Sequence, residues 1–217
     1  MERHQIGIII PAYNEAATIG SIVHSASQFG VAIVVDDGSS DGTGDLAREA
    51  GAHVLRHDTN RGYDQTLNSG FFYADKSDYE YVVTMDADGQ HDPKILNKFV
   101  QALNNGADVV VGIRDCLQRF AEHVFAWVGS VKWKMRDPLC GMKAYRMGVF
   151  RELGYFDSYD SIGTELAIYA AKSGKKIEQI DVKTRNRNDA SRFGRSFSAN
   201  QKIFRALWIG VFKPVNQ

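Results

Sequence analysis

The stretch VTMDADGQHDP, residues 83–93, decides the fold, because an apolar strand-like run ends directly in a group of polar side chains. Three carboxylates, an amide and an imidazole lie within residues 86–92. In open α/β sheets, ligands bind beyond the carboxyl ends of the strands. The sequence therefore predicts an α/β sheet with a ligand site at the end of this strand.

Short apolar runs alternate with amphipathic segments on both sides of this stretch, which is typical of a mostly parallel sheet with helices on both faces. The predicted strands are residues 6–10, 32–35, 53–56, 81–85, 108–112, 141–145 and 176–182. The predicted helices are residues 16–29, a helix from about Thr43, residues 65–74, a helix after Pro93, and residues 120–131, 162–173 and 197–212. Residues 184–196 are polar and basic without periodicity, and we expect a mobile loop there.

Length and composition favour one domain over residues 1–217, since 217 residues with 44% hydrophobic content suffice for one large core. No apolar run approaches the roughly 20 residues of a membrane span, and the first residues lack a signal-peptide pattern. Cys116 and Cys140 form no CxxC motif. We expect a cytoplasmic protein, at most peripheral at the cytoplasmic membrane face, and no nucleic-acid partner.

The net charge of zero hides a division of charge along the chain. Residues 1–113 contain 7 Lys and Arg against 16 Asp and Glu, whereas residues 114–217 contain 19 against 10. An acidic half suits cations, and a basic half suits phosphates or an anionic surface. Mutual attraction of the two halves within one fold is the simpler alternative.

Four polar loops follow predicted strands and should meet at one edge of the sheet. They are PAYNE (11–15), DDGSSDG (36–42), DTNRG (58–62) and DADGQ (86–90). None has the glycine pattern of a dinucleotide-binding or P-loop phosphate site, which argues against dehydrogenases and P-loop enzymes.

Carboxylates gathered at one place repel one another unless a cation joins them. Asp86, Asp88 and Gln90 offer hard oxygen ligands, which suit Mg²⁺ or Mn²⁺. The alternative is a solvated loop with an Asx-turn and a helix cap formed by Asp92 and Pro93. His91 is interpreted as a hydrogen-bonding residue more readily than as a ligand.

Six motifs in order along nearly the whole chain resemble family 2 glycosyltransferases of the GT-A fold, closest to the dolichyl- or polyprenyl-phosphate sugar synthases. They are PAYNE, VVDDGSSDGT, TNRG, MDADGQHDP, DPLCGMKAYR and the basic loop with ASRFG. The resemblance implies a UDP- or GDP-sugar donor, Mg²⁺ or Mn²⁺, and transfer with inversion. It also implies that Asp88 and Gln90 hold the metal and that Asp37 binds the base. The other nucleotide-sugar contacts that it implies are Pro11, Ala12, Tyr13, Glu15, Asp86 and Ala87.

For the acceptor, the resemblance implies either a polyprenyl or dolichyl phosphate or a glycan hydroxyl. A phosphate would be bound by cations, for which the candidates are Arg114, Lys143, Arg146, Arg185 and Arg192. A hydroxyl would need a general base, for which the candidates are Asp137 and Glu165. The loop of residues 185–195 is expected to close over the donor. The chain departs from that branch at CGMK and SR, where SGFR and SK are frequent, and in lacking C-terminal membrane spans.

Two further questions stay open at the level of sequence. Aromatic residues in 120–136 (Phe120, Phe125, Trp127 and Trp133), with Trp208 and Phe212 in the tail, predict contact with an anionic membrane, and the alternatives are core packing or a homodimer contact. A sugar nucleotidyltransferase and a non-catalytic binding protein are the rival functions. The first is disfavoured because PAYNEAAT lacks a glycine- and lysine-rich pyrophosphate loop.

Overall fold

The computed structural model describes residues 5–183 and 196–215. Its strands are β1 (Ile6–Ala12), β2 (Val31–Asp36), β3 (His53–Arg56), β4 (Tyr81–Thr84), β5 (Val109–Arg114), β6 (Lys143–Arg146) and β7 (Ile177–Val182). Within the described residues they form one seven-stranded sheet of order β3-β2-β1-β4-β6-β5-β7. β6 runs antiparallel to both of its neighbours, and every other pair of adjacent strands is parallel.

Eight helices cover this sheet in the described part of the chain. They are α1 (Ile19–Ala26), α2 (Thr43–Glu49), α3 (Tyr63–Lys76), α4 (Leu96–Asn104), α5 (Phe120–Trp133), α6 (Met147–Leu153), α7 (Glu165–Lys172) and α8 (Ser196–Phe212). The mostly parallel α/β architecture expected from the alternating pattern is confirmed.

The strands are apolar on both sides because helices pack on both faces of the sheet. Successive side chains of β1 point to opposite faces, so Ile8 lies in one core cluster and Ile9 in the other. The first cluster contains the buried faces of α1, α2 and α4, and the second contains those of α3 and α5–α8. β5 spans the point at which the acidic and basic halves were divided, and both halves contribute strands to the same sheet.

Two helix boundaries differ from the sequence prediction for identifiable reasons. The first helix was expected from residue 16 but begins at Ile19, and residues 16–18 form a turn in which the Thr18 N–H donates to Glu15 C=O at 3.0 Å. Helix α6 was not predicted, since its seven residues are too short to show an apolar stripe. The predicted cap before α4 is confirmed, with Asp92 accepting the Lys94 N–H and Pro93 at the first helical position.

Candidate active site

The carboxyl ends of β1, β2, β4 and β5 lie at one edge of the sheet and border a cleft of about 1080 Å³. Ten of the predicted site residues line this cleft: Pro11, Ala12, Tyr13, Glu15, Asp37, Asp86, Ala87, Asp88, Gln90 and Arg114. Parallel strands end together, and this brings loops that are far apart in sequence to one place.

The two loops nearest the start of α1 and α2 are joined by hydrogen bonds from backbone to side chain. Glu15 N–H donates to Thr43 Oγ1 at 2.8 Å, and Ala16 N–H donates to Asp41 Oδ2 at 3.0 Å. The first polar loop is therefore held against the second before any ligand binds. This fixes the cleft wall that contains Tyr13 and Glu15.

The acidic loop after β4 is held by its own turn and by α3. Gln90 N–H donates to Asp88 Oδ1 at 3.0 Å, which is the Asx-turn considered above, and the Tyr63 hydroxyl donates to Asp86 Oδ1 at 3.2 Å. The cap at Asp92 is present as well. Both features of the solvated-loop alternative therefore exist, but in a loop that lines the cleft.

His91 lies beside these carboxylates and is 4% exposed. Its Nε2 is 3.9 Å from Asp86 Oδ2, and its Nδ1 is buried without a hydrogen-bond partner. A buried polar atom of this kind usually signals a ligand, ion or water as its partner. No group of three or more His, Cys, Asp or Glu side chains is arranged around a metal position among residues 5–183 and 196–215. The Asp86 and Asp88 carboxylates and the Gln90 amide nevertheless fit Mg²⁺ or Mn²⁺, which take hard oxygen donors and retain positions for other ligands.

Asp37 forms the floor of the cleft near the end of β2 and is 3% exposed. Its Oδ1 accepts from His57 Nδ1 at 2.7 Å and from the Arg61 N–H at 2.8 Å. Its Oδ2 accepts from the Gly62 N–H at 2.9 Å. The side chain therefore holds the loop of residues 58–62 at the same edge as the acidic loop.

Asp137, a predicted general base, is committed to an ion pair. Arg114 donates to it through Nε at 2.8 Å, through a terminal nitrogen at 2.9 Å and through its backbone N–H at 3.1 Å. Burial alone would lower the pKa of Arg114, but the hydrogen bonds to Asp137 raise it above its ordinary value. Asp137 is 2% exposed and does not line the cleft, so it orients Arg114 at the cleft wall.

Glu165, the other predicted base, also lies outside the cleft lining. Its carboxylate accepts from the Ser158 N–H at 2.6 Å and from Lys213 Nζ. The side chain therefore ties α7 to the end of α8.

Lys143 and Arg146 were expected at the acceptor site, and neither lines the cleft. Because β6 is antiparallel, Lys143 pairs with Thr84 at the ligand edge, whereas Arg146 pairs with Tyr81 at the opposite edge. Lys143 is 2% exposed, donates to Cys140 C=O and has a pKa lowered by burial. Arg146 donates to the Tyr81 hydroxyl at 3.1 Å. Arg185 and Arg192, with the loop expected to close, lie outside the described residues.

Comparisons with known proteins identify the family of this chain. The model of the family described as glycosyl transferase family 2 matches residues 7–122. An undecaprenyl-phosphate mannosyltransferase of Micrococcus luteus is 30% identical over 199 residues, which cover 80% of this chain and 81% of that protein. The chain is a member of glycosyl transferase family 2.

Two further comparisons place this transferase. It is 37% identical over 117 residues to a polyprenol monophosphomannose synthase of Mycolicibacterium smegmatis, covering 49% of this chain and 44% of that protein. A glucosyl-3-phosphoglycerate synthase from Mycobacterium tuberculosis, crystallised with Mn²⁺, UDP-glucose and phosphoglyceric acid, has a TM-score of 0.79 and 21% identity. The match covers 98% of this chain and 81% of that one. The GT-A fold and the resemblance to the polyprenyl-phosphate branch are confirmed.

Sequence reasoning missed several residues of the transferase that line the cleft. They are Tyr63, Asp64, Arg119, Glu122, Lys202 and Arg205. Arg119 donates to Glu122 at 2.9 Å, and Arg205 donates to the Tyr159 carbonyl at 2.7 Å. For two of these residues, Lys202 and Arg205, the sequence held a usable feature: they lie three apart on one predicted helix, beside its apolar stripe.

The transferase also exposes aromatic residues on α5 and α8, away from the cleft. This aromatic face consists of Phe120, Trp127 and Val131 on α5 with Phe204, Trp208 and Phe212 on α8. Trp127 is 69% and Trp208 is 68% exposed. Phe125 and Trp133, expected in the same stripe, are instead buried in the core. No helix in the described ranges has the length and apolar character needed to cross a bilayer.

Proposed function

We propose that this transferase takes a sugar from a UDP- or GDP-sugar and transfers it, with inversion, to a phosphate acceptor of the polyprenyl type. The observation that carries the proposal is the meeting of the Asp37 loop, the Asp86–Gln90 loop, Arg114 and Arg119 in the lining of one cleft. Carboxylates suit a metal ion and arginines suit a phosphate. Both chemistries are needed for transfer between two phosphates.

On the donor side, the proposed contacts are those that line the cleft. Asp37 accepts an N–H of the base, and Pro11, Ala12, Tyr13 and Glu15 bound the nucleoside. Asp86 and Ala87 lie at the ribose and phosphates, and Asp88 and Gln90 hold Mg²⁺ or Mn²⁺. A divalent ion bound there would neutralise the charge that develops on the departing nucleoside diphosphate.

On the acceptor side, an anionic phosphate is favoured over a sugar hydroxyl. A hydroxyl needs a base to take its proton, but Asp137 is bound to Arg114 and Glu165 is bound to Lys213. A phosphate oxygen is already deprotonated and needs cations instead. Arg114 and Arg119 are positioned for this by Asp137 and Glu122, and Lys202 and Arg205 on α8 add positive charge to the same cleft. Two relatives whose names specify a polyprenyl-type phosphate support this choice.

We also propose that the aromatic face rests on an anionic membrane surface. α5 and α8 supply both this face and part of the cleft lining, so docking of the face would bring the cleft to the bilayer. A groove of about 340 Å³ between the helices contains Lys132 beside Trp208 and Phe212. Aromatic rings flanked by lysine are typical of helices that lie in the membrane interface.

The decisive experiment supplies a panel of nucleotide sugars with Mn²⁺ or Mg²⁺, with and without polyprenyl phosphate. We expect nucleoside diphosphate release that requires both the metal and the lipid phosphate, and a glycosylated lipid product. Release of pyrophosphate from a sugar phosphate and a nucleoside triphosphate would show a nucleotidyltransferase instead. Activity that persists in chelator would contradict the metal assignment.

Substitution of the metal ligands gives the first prediction. Asp88→Asn and Gln90→Ala should each lower turnover by about 100-fold or more, because charge on the leaving group is no longer neutralised. Both side chains lie in a loop, so the free energy of unfolding of the metal-free protein should change by only about 0.5 kcal/mol.

The matched control is Asp92→Asn in the same loop, which keeps a good helix cap and lies outside the cleft lining. We expect near-normal turnover in this control. Calorimetric titration of Mn²⁺ in the presence of nucleoside diphosphate supplies a readout besides activity. Equal metal affinity in wild type and Asp88→Asn would contradict the assignment.

A further inference from the structure

The hydrogen bonds of Asp37 limit what this carboxylate can still bind. An ionised carboxylate accepts at about four positions, two on each oxygen. Oδ1 already accepts from His57 Nδ1 and from the Arg61 N–H, and Oδ2 accepts from the Gly62 N–H. Oδ1 is therefore saturated, and one position remains on Oδ2.

His57 is held so that it keeps Oδ1 occupied. The side chain is 6% exposed and does not line the cleft. A carboxylate only accepts, so Nδ1 carries the proton in the hydrogen bond to Asp37. On the other side of the ring, Nε2 lies 2.9 Å from Ser69 Oγ on α3. With partners on both nitrogens, the imidazole has a fixed orientation.

The two candidate bases differ in the number of donors that they present to a carboxylate. Uracil offers one ring N–H between two carbonyl oxygens, whereas guanine offers a ring N–H and an adjacent amino N–H that pair best with both oxygens of a carboxylate. One remaining position on Oδ2 matches a single donor. Guanine would leave one of its donors unpaired in a buried site, which costs affinity.

We infer that the donor nucleotide carries uracil rather than guanine, and that His57 is the positioning residue that sets this preference by occupying Oδ1 of Asp37. The inference rests on the proposed function, because it assumes that Asp37 binds the base. It goes further in choosing one nucleotide class and in giving a role to a residue that never touches the ligand.

The first test uses the wild-type protein and compares the affinities of UDP and GDP in the presence of Mn²⁺ by calorimetry. We expect UDP to bind about tenfold more tightly or better, the effect of one unpaired buried donor. Equal affinity or a preference for GDP would overturn the inference and leave the proposed function intact. Binding of neither nucleotide would overturn the proposed function, and the inference with it.

The second test asks whether His57 sets the preference. His57→Phe removes the donor to Oδ1 and should lower the ratio of UDP to GDP affinity severalfold, while His57→Asn, which retains a side-chain N–H, should restore most of it. A purely structural role would weaken both nucleotides equally and leave the ratio unchanged.

The matched control is His53→Phe, the same substitution at an exposed position of β3. It should leave both affinities unchanged. If His57→Phe is folded, as shown by a cooperative thermal transition, and its ratio of UDP to GDP affinity equals that of the wild type, the role of His57 is overturned. If His57→Phe does not fold, His57→Gln, whose longer side chain displaces the donor, takes its place with the same expected fall in the ratio.

Discussion

At the scale of single residues, Asp86 has room for its carboxylate because residue 141 has no side chain. A Cβ at Gly141 would lie 2.3 Å from Asp86 Oδ2, closer than real contacts allow. Gly141 cannot retreat easily, because its carbonyl accepts from Thr84 Oγ1 at 2.7 Å on β4. The glycine of the CGMK motif therefore leaves room for the adjoining acidic loop.

Substitution Gly141→Ala should displace the Asp86 carboxylate and break its hydrogen bond to Tyr63. A displacement of about 1 Å in a catalytic group lowers rates by up to about 100-fold, so we expect turnover to fall by one to two orders of magnitude. The free energy of unfolding should change little, because the atoms that the new Cβ meets are the end of a partly exposed Asp86 side chain that can rotate away.

Gly148→Ala is the control, since a Cβ there meets nothing within 4 Å. It should keep full activity, and as a helical position it should gain some stability. Steady-state kinetics and urea unfolding of both variants provide the measurement. Wild-type turnover in Gly141→Ala would show that the position of Asp86 is not limiting.

The residue scale also shows what sequence patterns capture. Asp37, Asp86, Asp88 and Gln90 follow strands directly, so their position at the ligand edge could be predicted from the alternation of strands and helices. The partner of Asp37 could not be predicted from the sequence, because His57 is 20 residues away and the contact depends on how β3 ends beside β2.

At the scale of elements, α5 and α8 each serve two surfaces. Arg119 lies just before α5 and Lys202 lies on α8, and both line the cleft, while exposed residues of the same two helices form the aromatic face. The rings of Phe120 on α5 and Phe204 on α8 lie 6.4 Å apart, so the exposed rings of the two helices adjoin, and the rings of Trp208 and Phe212 lie 4.6 Å apart on α8.

Replacement of Trp208 and Phe212 by serine should weaken membrane binding. Burial of one large apolar side chain contributes roughly 1.5–3 kcal/mol, so loss of two should reduce partition into vesicles by at least about 100-fold. Co-sedimentation with vesicles rich in anionic lipid provides the measurement. Binding should also weaken as salt is raised, because part of it is electrostatic.

Phe72→Ser is the control, because Phe72 is 46% exposed on α3 and lines neither the cleft nor the groove. It should leave vesicle binding unchanged. A wild-type dimer in solution that the Trp208 and Phe212 substitutions dissociate, with vesicle binding unaltered, would assign the face to a homodimer instead.

At the scale of the whole molecule, the charged residues that line the cleft are mostly acidic where they come from the first half of the sequence and mostly basic where they come from the second. Glu15, Asp37 and Asp88 come from the acidic half of the sequence, and Arg114 and Arg205 come from the basic half. The opposite charges of the halves are therefore arranged around one site. A single-domain organisation of residues 1–217 stays a prediction.

Asp64 joins distant parts of the molecule beneath this cleft and is 8% exposed. Its carboxylate accepts from the N–H groups of Ile162, at 3.1 Å, and Gly163, at 2.6 Å. Ile162 has a φ of 61°, a strained value for a β-branched residue, so the carboxylate holds the loop before α7 in an unfavourable conformation. Burial, with the nearby charge of Asp157, raises the pKa of Asp64 from 3.8 to about 7.

The raised pKa predicts how stability varies with pH. Between about pH 4 and 7 the folded protein binds more protons at Asp64 than the unfolded chain does, so the free energy of unfolding should fall as pH rises through this range. The effect is at most about 4 kcal/mol, from about three pKa units.

Urea unfolding of wild type and Asp64→Asn at several pH values between 5 and 8 provides the measurement. The difference in the free energy of unfolding between the two proteins isolates this carboxyl. The wild type should lose stability relative to Asp64→Asn as pH rises. An exposed control, Asp45→Asn, should show no such trend. The same difference at every pH would contradict the raised pKa.

The alternating apolar pattern by itself determined most of the sheet, its covering helices and the edge at which the polar loops meet, because these features depend on local periodicity and on the geometry of parallel strands. It could not determine the direction of β6, a four-residue strand whose orientation depends on β4 and β5. That direction put Lys143 at the ligand edge and Arg146 at the opposite edge. Only the tertiary structure paired Asp137 with Arg114 and His57 with Asp37, since such contacts join residues far apart in sequence and depend on how the elements pack.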